Sequence, residues 1–303
     1  MDELLSSTLR LATPLTFAAL GGVLSERSGV FNIALEGALL SGAFGAAAGT
    51  TITGNPWVGL ITGLGAGLVI GLLLALLTVP LRVNQFVSGI AVNLLAVGLT
   101  AFFARLMTIE SSRTTLRGFA RLGPPSWEAL PLLGPLVFSQ DWLVVTSFLL
   151  PAGLTYVLHR TRWGLQIRAV GENHWAADVA GIPVNRVRFL SVATSCGLAG
   201  LGGCHLVLVQ AFLFTENMSA GRGFIALAAV ILGRWSFWGA FAACLLFGLF
   251  ESLQLRLQFE SANVPYQFFA TLPYTLALVA LIAFGKRIRS PSGAGAAFRR
   301  ESR

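Results

Sequence analysis

"WVGLITGLGAGLVIGLLLALLTV", residues 57–79, runs for 23 residues without a charged side chain. As a helix rising about 1.5 Å per residue it would reach about 35 Å, enough to cross the roughly 30 Å hydrocarbon core of a bilayer. Gly59, Gly63, Gly67 and Gly71 stand four apart within it. That spacing gathers them on one helix face, where a neighbouring backbone can come close. The stretch therefore reads as a membrane span with a smooth packing edge, and "LAGLGGC" at 198–204 reads the same way.

The pattern repeats along the chain. Further apolar stretches lie near 8–24, 37–54, 86–107, 140–158, 189–210, 223–234, 237–255 and 267–285, of which 223–234 is short enough to be a half-span. Of the 303 residues 55% are hydrophobic and 11% charged, and mean hydropathy is +0.74. A soluble domain carries about 25% charge, so these residues could not cover a water-facing surface. The expectation is an all-α integral membrane protein of about nine transmembrane helices. The opening "MDELLSSTLR" is not expected to be a cleavable signal, because it begins with acids and lacks a basic start before a compact apolar core.

The net charge of +8 is clustered in two blocks, 159–188 (Arg160, Arg162, Arg168, Arg186, Arg188) and the tail 286–303. Basic flanks of spans face the cytoplasm, so both blocks belong on that side, and nucleic-acid binding is set aside as the weaker reading of the tail. Counting back, "RVNQ" (82–85) and "SERSG" (25–29) are also cytoplasmic and the N-terminus lies outside. The stretch around 108–138, with Arg105, Arg113, Arg117 and Arg121, then falls outside against the rule. Either that loop's own folding overrides the rule or the count is off by one. "GVFNIALEG" (29–37) and "GRGFIALAA" (221–229) match at a constant offset, sharing Gly29/Gly221 and an Ile-Ala-Leu triplet. Entering from opposite sides, they have the form of an inverted repeat, as transporters often do.

Little in the chain could catalyse. There is no G-x-x-x-x-G-K-[ST] phosphate loop, and Lys286 is the sole lysine. His159, His174 and His205 are scattered, the three cysteines lie in apolar runs without metal spacing, and no G-x-S-x-G elbow exists. Neither enzyme activity nor a cofactor or metal is expected. Polar side chains within spans are costly and thereby mark function: Asn32 and Glu36 open the second span, Gln85 and Asn93 lie eight apart on the fourth, His205 and Gln210 lie in the sixth, Glu251 and Gln254 in the eighth. The first four are the candidates for a substrate path; the plainer alternative is that each bonds a neighbouring helix. In "TENMSAGRGF" (215–224), Glu216, Asn217 and Arg222 either meet a substrate or docking protein outside, or simply cap a turn.

One polar island interrupts the apolar text: "QIRAVGENHWAADVAGIPVNRVRF", residues 166–189. A transporter lacking its own energy source must receive energy from a separate motor. A short cytoplasmic helix seated in a cleft of that motor would transmit it. Residues 172–183 have the required parts: Glu172 and Asn173 as start signals, Ala176 and Ala177 as small contacts, and Gly181 before Pro183 as the stop. A flexible linker would instead be rich in Gly and Ser.

"AADVAGIPV" (176–184) resembles the coupling motif of ABC importer permeases, Glu-Ala-Ala followed by Gly, matched at Ala176, Ala177 and Gly181 with Trp175 in place of the Glu. "RAVGEN" (168–173), "SERSGVFNIALEG" (25–37), "NQFVSGIAVNLLAVGLT" (84–100), "TENMSAGRGFIALAAVILGRW" (215–235) and "LFGLFESLQLRLQ" (246–258) carry the likeness almost end to end. The chain is similar to inner-membrane permeases of bacterial ABC uptake systems for nucleosides and simple sugars, nearest the nucleoside type. The resemblance implies a type II-like importer fold in one transmembrane permease domain, 1–303, with a coupling loop at 159–188 and a cytoplasmic basic tail at 286–303. It implies a second permease, identical or homologous, a separate ATPase that binds the ATP, and a lipoprotein or periplasmic binding protein. Arg168, Gly171, Glu172, Asn173, Ala176, Ala177 and Gly181 would then face the ATPase, and 215–224 the binding protein. The alternative is an ion-coupled secondary carrier of a small polar solute, which would call for paired acids and leave 163–185 without a task.

Overall fold

The computed structural model describes residues 2–111, 116–119, 140–260 and 291–296 and the single positions 271, 275, 278, 279, 282 and 298. Among them the regular structure is helical throughout: α1 (Asp2–Arg27), α2 (Leu35–Thr53), α3 (Pro56–Thr78), α4 (Gln85–Ser111), α5 (Trp142–Arg160), α6 (Arg162–Glu172), α7 (His174–Val179), α8 (Val184–His205), α9 (Arg222–Leu232) and α10 (Phe237–Glu260). A π-helical turn, Leu206–Ala211, extends α8. Among the described residues six helices are long and apolar enough to cross a membrane: α1, α3, α4, α5, α8 with its π turn, and α10. α2 spans 19 residues and α9 only 11, as the sequence anticipates for a half-span. The expected span at 267–285 lies outside the described residues apart from scattered helical positions, as does most of 108–138.

Local chemistry sets the boundaries. Gly54 closes α2 at φ 68°, and Asn55 opens α3 by accepting from Trp57 N at 3.0 Å ahead of Pro56. α1 forms the centre, its Phe17–Leu20 run buried, and packs against α8, α9 and α10. Pro14 within α1 has no N–H, which frees the carbonyl of Arg10 four residues earlier. The Gln210 side chain takes that carbonyl at 2.8 Å.

The glycine face of α3 meets α2 and α8 as its spacing foretold. A Cβ on Gly67 would fall 2.6 Å from the Cys196 carbonyl and 2.8 Å from Gly200 Cα, and one on Gly71 would fall 2.8 Å from the Ala193 carbonyl. Cys196, Cys204 and Cys244 are buried and free. α4 presents its apolar side chains outward, Phe86, Ile90, Leu94 and Phe102 among them, as a surface facing lipid does.

Candidate functional site

Between α1 and α2 the backbone is irregular, and this segment gathers the candidate path residues. Its N–H and C=O groups need partners wherever water is excluded. Gln85 Oε1 accepts from Phe31 N at 2.8 Å. Asn32 Oδ1 accepts from Ala34 N at 3.1 Å, and its Nδ2 donates to Ser195 Oγ at 2.8 Å. Asn93 accepts from Gly37 N at 2.8 Å and donates to Ile33 O at 2.9 Å. It thereby caps α2 from α4. All four candidates, Asn32, Glu36, Gln85 and Asn93, are buried.

Glu36 does something different. Its Oε1 accepts from Ser219 Oγ at 2.6 Å and Gly221 N at 2.8 Å, and its Oε2 from Gly223 N at 2.6 Å. A carboxylate is thus set against the N-terminus of α9, where the helix dipole favours negative charge. The two halves of the internal echo meet here: Gly29 has φ 92° and Gly221 φ 85°, and Glu36 of one half caps the helix of the other. From this junction α2 and α9 run in opposite directions. Ser219 and Gly223 are partners that the single-sequence reading did not pick out, although the echo already pointed at their neighbourhood.

The turn after α9 is tied back to α1. Arg234 and Trp235 both take positive φ, 57° and 52°. Trp235 Nε1 donates to buried Glu26 at 2.5 Å, and Arg27 Nε donates to Trp235 O at 2.8 Å. These contacts hold a conformation that costs on the order of 1–3 kcal/mol per residue.

At that same end lies the polar island, built as two helices rather than one. Asn173 separates them and caps α7, accepting from Trp175 N at 3.1 Å and Ala176 N at 3.0 Å. Gly181, at φ 84°, ends it. Trp175, Ala176, Val179, Ala180 and Gly181 are exposed, whereas Ala177 is turned into the core. Gly171 is buried so closely on the Arg27 carbonyl that no side chain fits. Arg168 and Glu172 lie within electrostatic reach of Arg27.

At the opposite end Glu216 pairs with Arg105 of α4, Nε–Oε1 2.9 Å and Nη2–Oε2 3.3 Å. These bonds hold the exposed Glu216 carboxyl below the usual carboxylate range. Asn217 is an exposed turn residue at φ 57°. Arg222 is drawn inward to Glu251 at 2.7 Å. His205 is buried with Nε2 unpartnered among the described residues, and its Nδ1 lies 3.4 Å from Gln210. Among the described residues no group of His, Cys, Asp or Glu is placed to hold a metal ion.

Residues 4–284 match the family described as branched-chain amino acid transport system / permease component. The chain is 35% identical to the guanosine ABC transporter permease protein NupQ of Bacillus subtilis, covering 97% of this chain and 96% of the relative. It is 34% identical to the nucleoside ABC transporter permease protein NupC of Lactococcus lactis, with the same coverage of 97% and 96%. It is 37% identical to the putative glucose ABC transporter permease protein TsgC13 of Haloferax volcanii, over 84% of this chain and 78% of the relative. No solved structure gives a significant match.

Proposed function

Because this chain belongs to the family of branched-chain amino acid transport system permease components, we propose that it lines the membrane path of an ATP-driven importer whose cargo is a nucleoside. Permease components are not enzymes; ATP hydrolysis resides in a separate subunit. The observation that carries the substrate class is the near full-length likeness to two permeases whose names specify guanosine and nucleosides. The likeness to a putative glucose permease keeps a simple sugar as the second reading, since a sugar offers the same hydroxyls as ribose.

Asn32, Gln85 and Asn93 gather around the start of α2, and Glu36 joins it to the start of α9. A shift of α9 against α2 would free the Glu36 carboxylate, a group suited to ribose hydroxyls and the donor edges of a purine. ATP binding to the motor can drive such a shift only by favouring one arrangement over the other. Arg168, Gly171, Glu172, Asn173, Ala176, Ala177 and Gly181 form the coupling element. Trp175, Ala176 and Gly181 make its contact surface, and Gly171 and Ala177 fix it from within. Glu216 and Asn217 face the binding protein, with Arg222 holding the turn. The apolar outer side of α4 faces lipid and the second permease. The location is the inner membrane, with residues 291–296 and Phe298 on the cytoplasmic side beside the coupling element.

The test is uptake of labelled guanosine by cells carrying the complete system, comparing wild type with Ala176→Arg and adding unlabelled ribose or glucose as competitor. The expected result is guanosine uptake that the sugars do not displace and that Ala176→Arg abolishes at equal membrane abundance. Sugar competition at low concentration would shift the cargo to the second reading. Undiminished uptake in Ala176→Arg would remove the coupling role of α7.

A further inference from the structure

We propose that residues 291–296 and Phe298 are a built-in brace that makes the coupling element and the Arg27–Phe31 segment move as one body, with Arg188 as its hub; the proposal rests on the permease reading above. α7 has six residues, too few to be stable as an isolated helix. Something must stiffen it if it is to carry load.

"PSGAGA" (291–296) and Phe298 are positioned to do so. Gly293 N donates to Gly171 O at 2.9 Å, and Ser292 Oγ donates to Glu172 O at 2.6 Å. Phe298 is 4% exposed and packs on the His174 and Trp175 rings, with centroids 5.6 and 5.2 Å away. The segment also holds the α1–α2 connection, because Gly295 N donates to Gly29 O at 3.0 Å. Arg188, at the base of α8, joins all three pieces. It donates to Ala296 O at 2.7 Å, to Ser28 O at 3.3 Å and to Gly293 O at 3.4 Å, and its Nη2 lies 3.4 Å from His174 Nδ1. Only a guanidinium fork can reach several carbonyls in fixed directions at once.

The small residues are required by this fit. A side chain on Gly293 would meet Gly171 O at 2.8 Å, and Gly295 sits at φ 81°. The consequence is mechanical. Displacing α7 pulls on Gly29 through the brace, and Gly29 leads within three residues to Asn32 and within seven to Glu36. Arg188 and Phe298 are therefore positioning residues for transport, without touching substrate.

Two shortened chains test this, one ending at Ser290 and one at Arg300. In lipid nanodiscs, amides 172–184 and 27–33 should exchange hydrogen about tenfold faster in the chain ending at Ser290, and at the full-length rate in the chain ending at Arg300. In proteoliposomes with the ATPase and binding protein, guanosine moved per ATP hydrolysed should fall severalfold only in the former. If that chain does not accumulate, Phe298→Ala and Arg188→Lys should shift both readouts in the same direction. Unchanged exchange, or an unchanged ratio of guanosine to ATP, overturns the brace. Faster exchange in a protein whose full-length form stimulates no ATPase overturns the importer reading and leaves the brace standing.

Discussion

The amide of Gly223 donates to Glu36 Oε2 across 2.6 Å, so the first turn of α9 is fastened to the first turn of α2. A residue in the first turn of one helix thus caps the start of the other, and anything that changes the Glu36 carboxylate acts on the junction between them.

Glu36→Ala leaves Ser219 Oγ, Gly221 N and Gly223 N without their acceptor. At about 1–3 kcal/mol per buried unsatisfied group, the loss should reach about 3 kcal/mol or more. Glu36→Gln keeps one acceptor oxygen and should lose less. Thermal midpoints in detergent rank the three proteins, and equal midpoints for Glu36→Ala and wild type would mean that the cap is without energetic weight.

The glycine seam should discriminate sharply between positions. A Cβ on Gly67 would press against backbone of α8, whereas one on Gly65 meets nothing within 4 Å. Gly65→Ala should be neutral or stabilise by up to about 1 kcal/mol. Gly67→Leu should separate α3 from α8 at a cost above about 3 kcal/mol, beyond ordinary overpacking. Membrane accumulation and size-exclusion profiles report this contrast.

Trp235→Phe removes the Nε1 donor to Glu26 and, with it, part of the buried ring. An expected loss of about 1–3 kcal/mol should come with looser packing of the α9–α10 turn, visible as faster protease cleavage there. A variant as resistant as wild type would show that Arg27, bonded to the Trp235 carbonyl, is enough to hold the turn.

His174 gives the coupling region a pH dependence. Burial chiefly, and then the adjacent Arg188 guanidinium, hold its pKa below the ordinary value of 6.5. The unfolded chain takes up a proton as pH falls through about 6.5, while the folded ring stays neutral. Stability is therefore fully present above that pH and declines below it, until the folded ring titrates in turn. Hydrogen exchange across 172–184, corrected for intrinsic rate, should be flat from pH 8 to 7 and rise below about 6.5. His174→Phe should flatten the profile; an unchanged profile would assign the titration elsewhere.

What the sequence made legible is what depends on near neighbours. Glycines four apart foretold the α3 seam, and Asn173 and Gly181 announced the ends of α7 before any coordinate did. The short apolar run after Arg222 was recognisable as a half-span. Pairings between distant residues were not legible. Glu26 and Trp235 are 209 residues apart, and no periodicity links them. Ala176 and Ala177 look equivalent in the sequence, and only the packing of α7 turns one outward and the other in. Residues 291–296 read only as part of the basic cytoplasmic tail because small residues carry no hydrophobic pattern, yet Phe298 beside them ends up buried. Asn32, Gln85 and Asn93 were recognisable as costly polar groups. That their bonds serve the backbone of 31–37 follows from the irregular segment itself, which no local signal announced.

The central position of α1 bears on how the protein is made. Its polar groups are matched by partners the ribosome adds far later: the Arg10 carbonyl by Gln210, 200 residues on, and Glu26 by Trp235, 209 residues on. When α1 leaves the ribosome it carries a charged C-terminal turn and an open carbonyl, and none of the helices that will enclose it exists. Until Gln210 arrives the Arg10 carbonyl, opened by Pro14, lacks its partner, and a backbone group left so in hydrocarbon costs several kcal/mol. α1 is completed only by helices that follow it far along the chain.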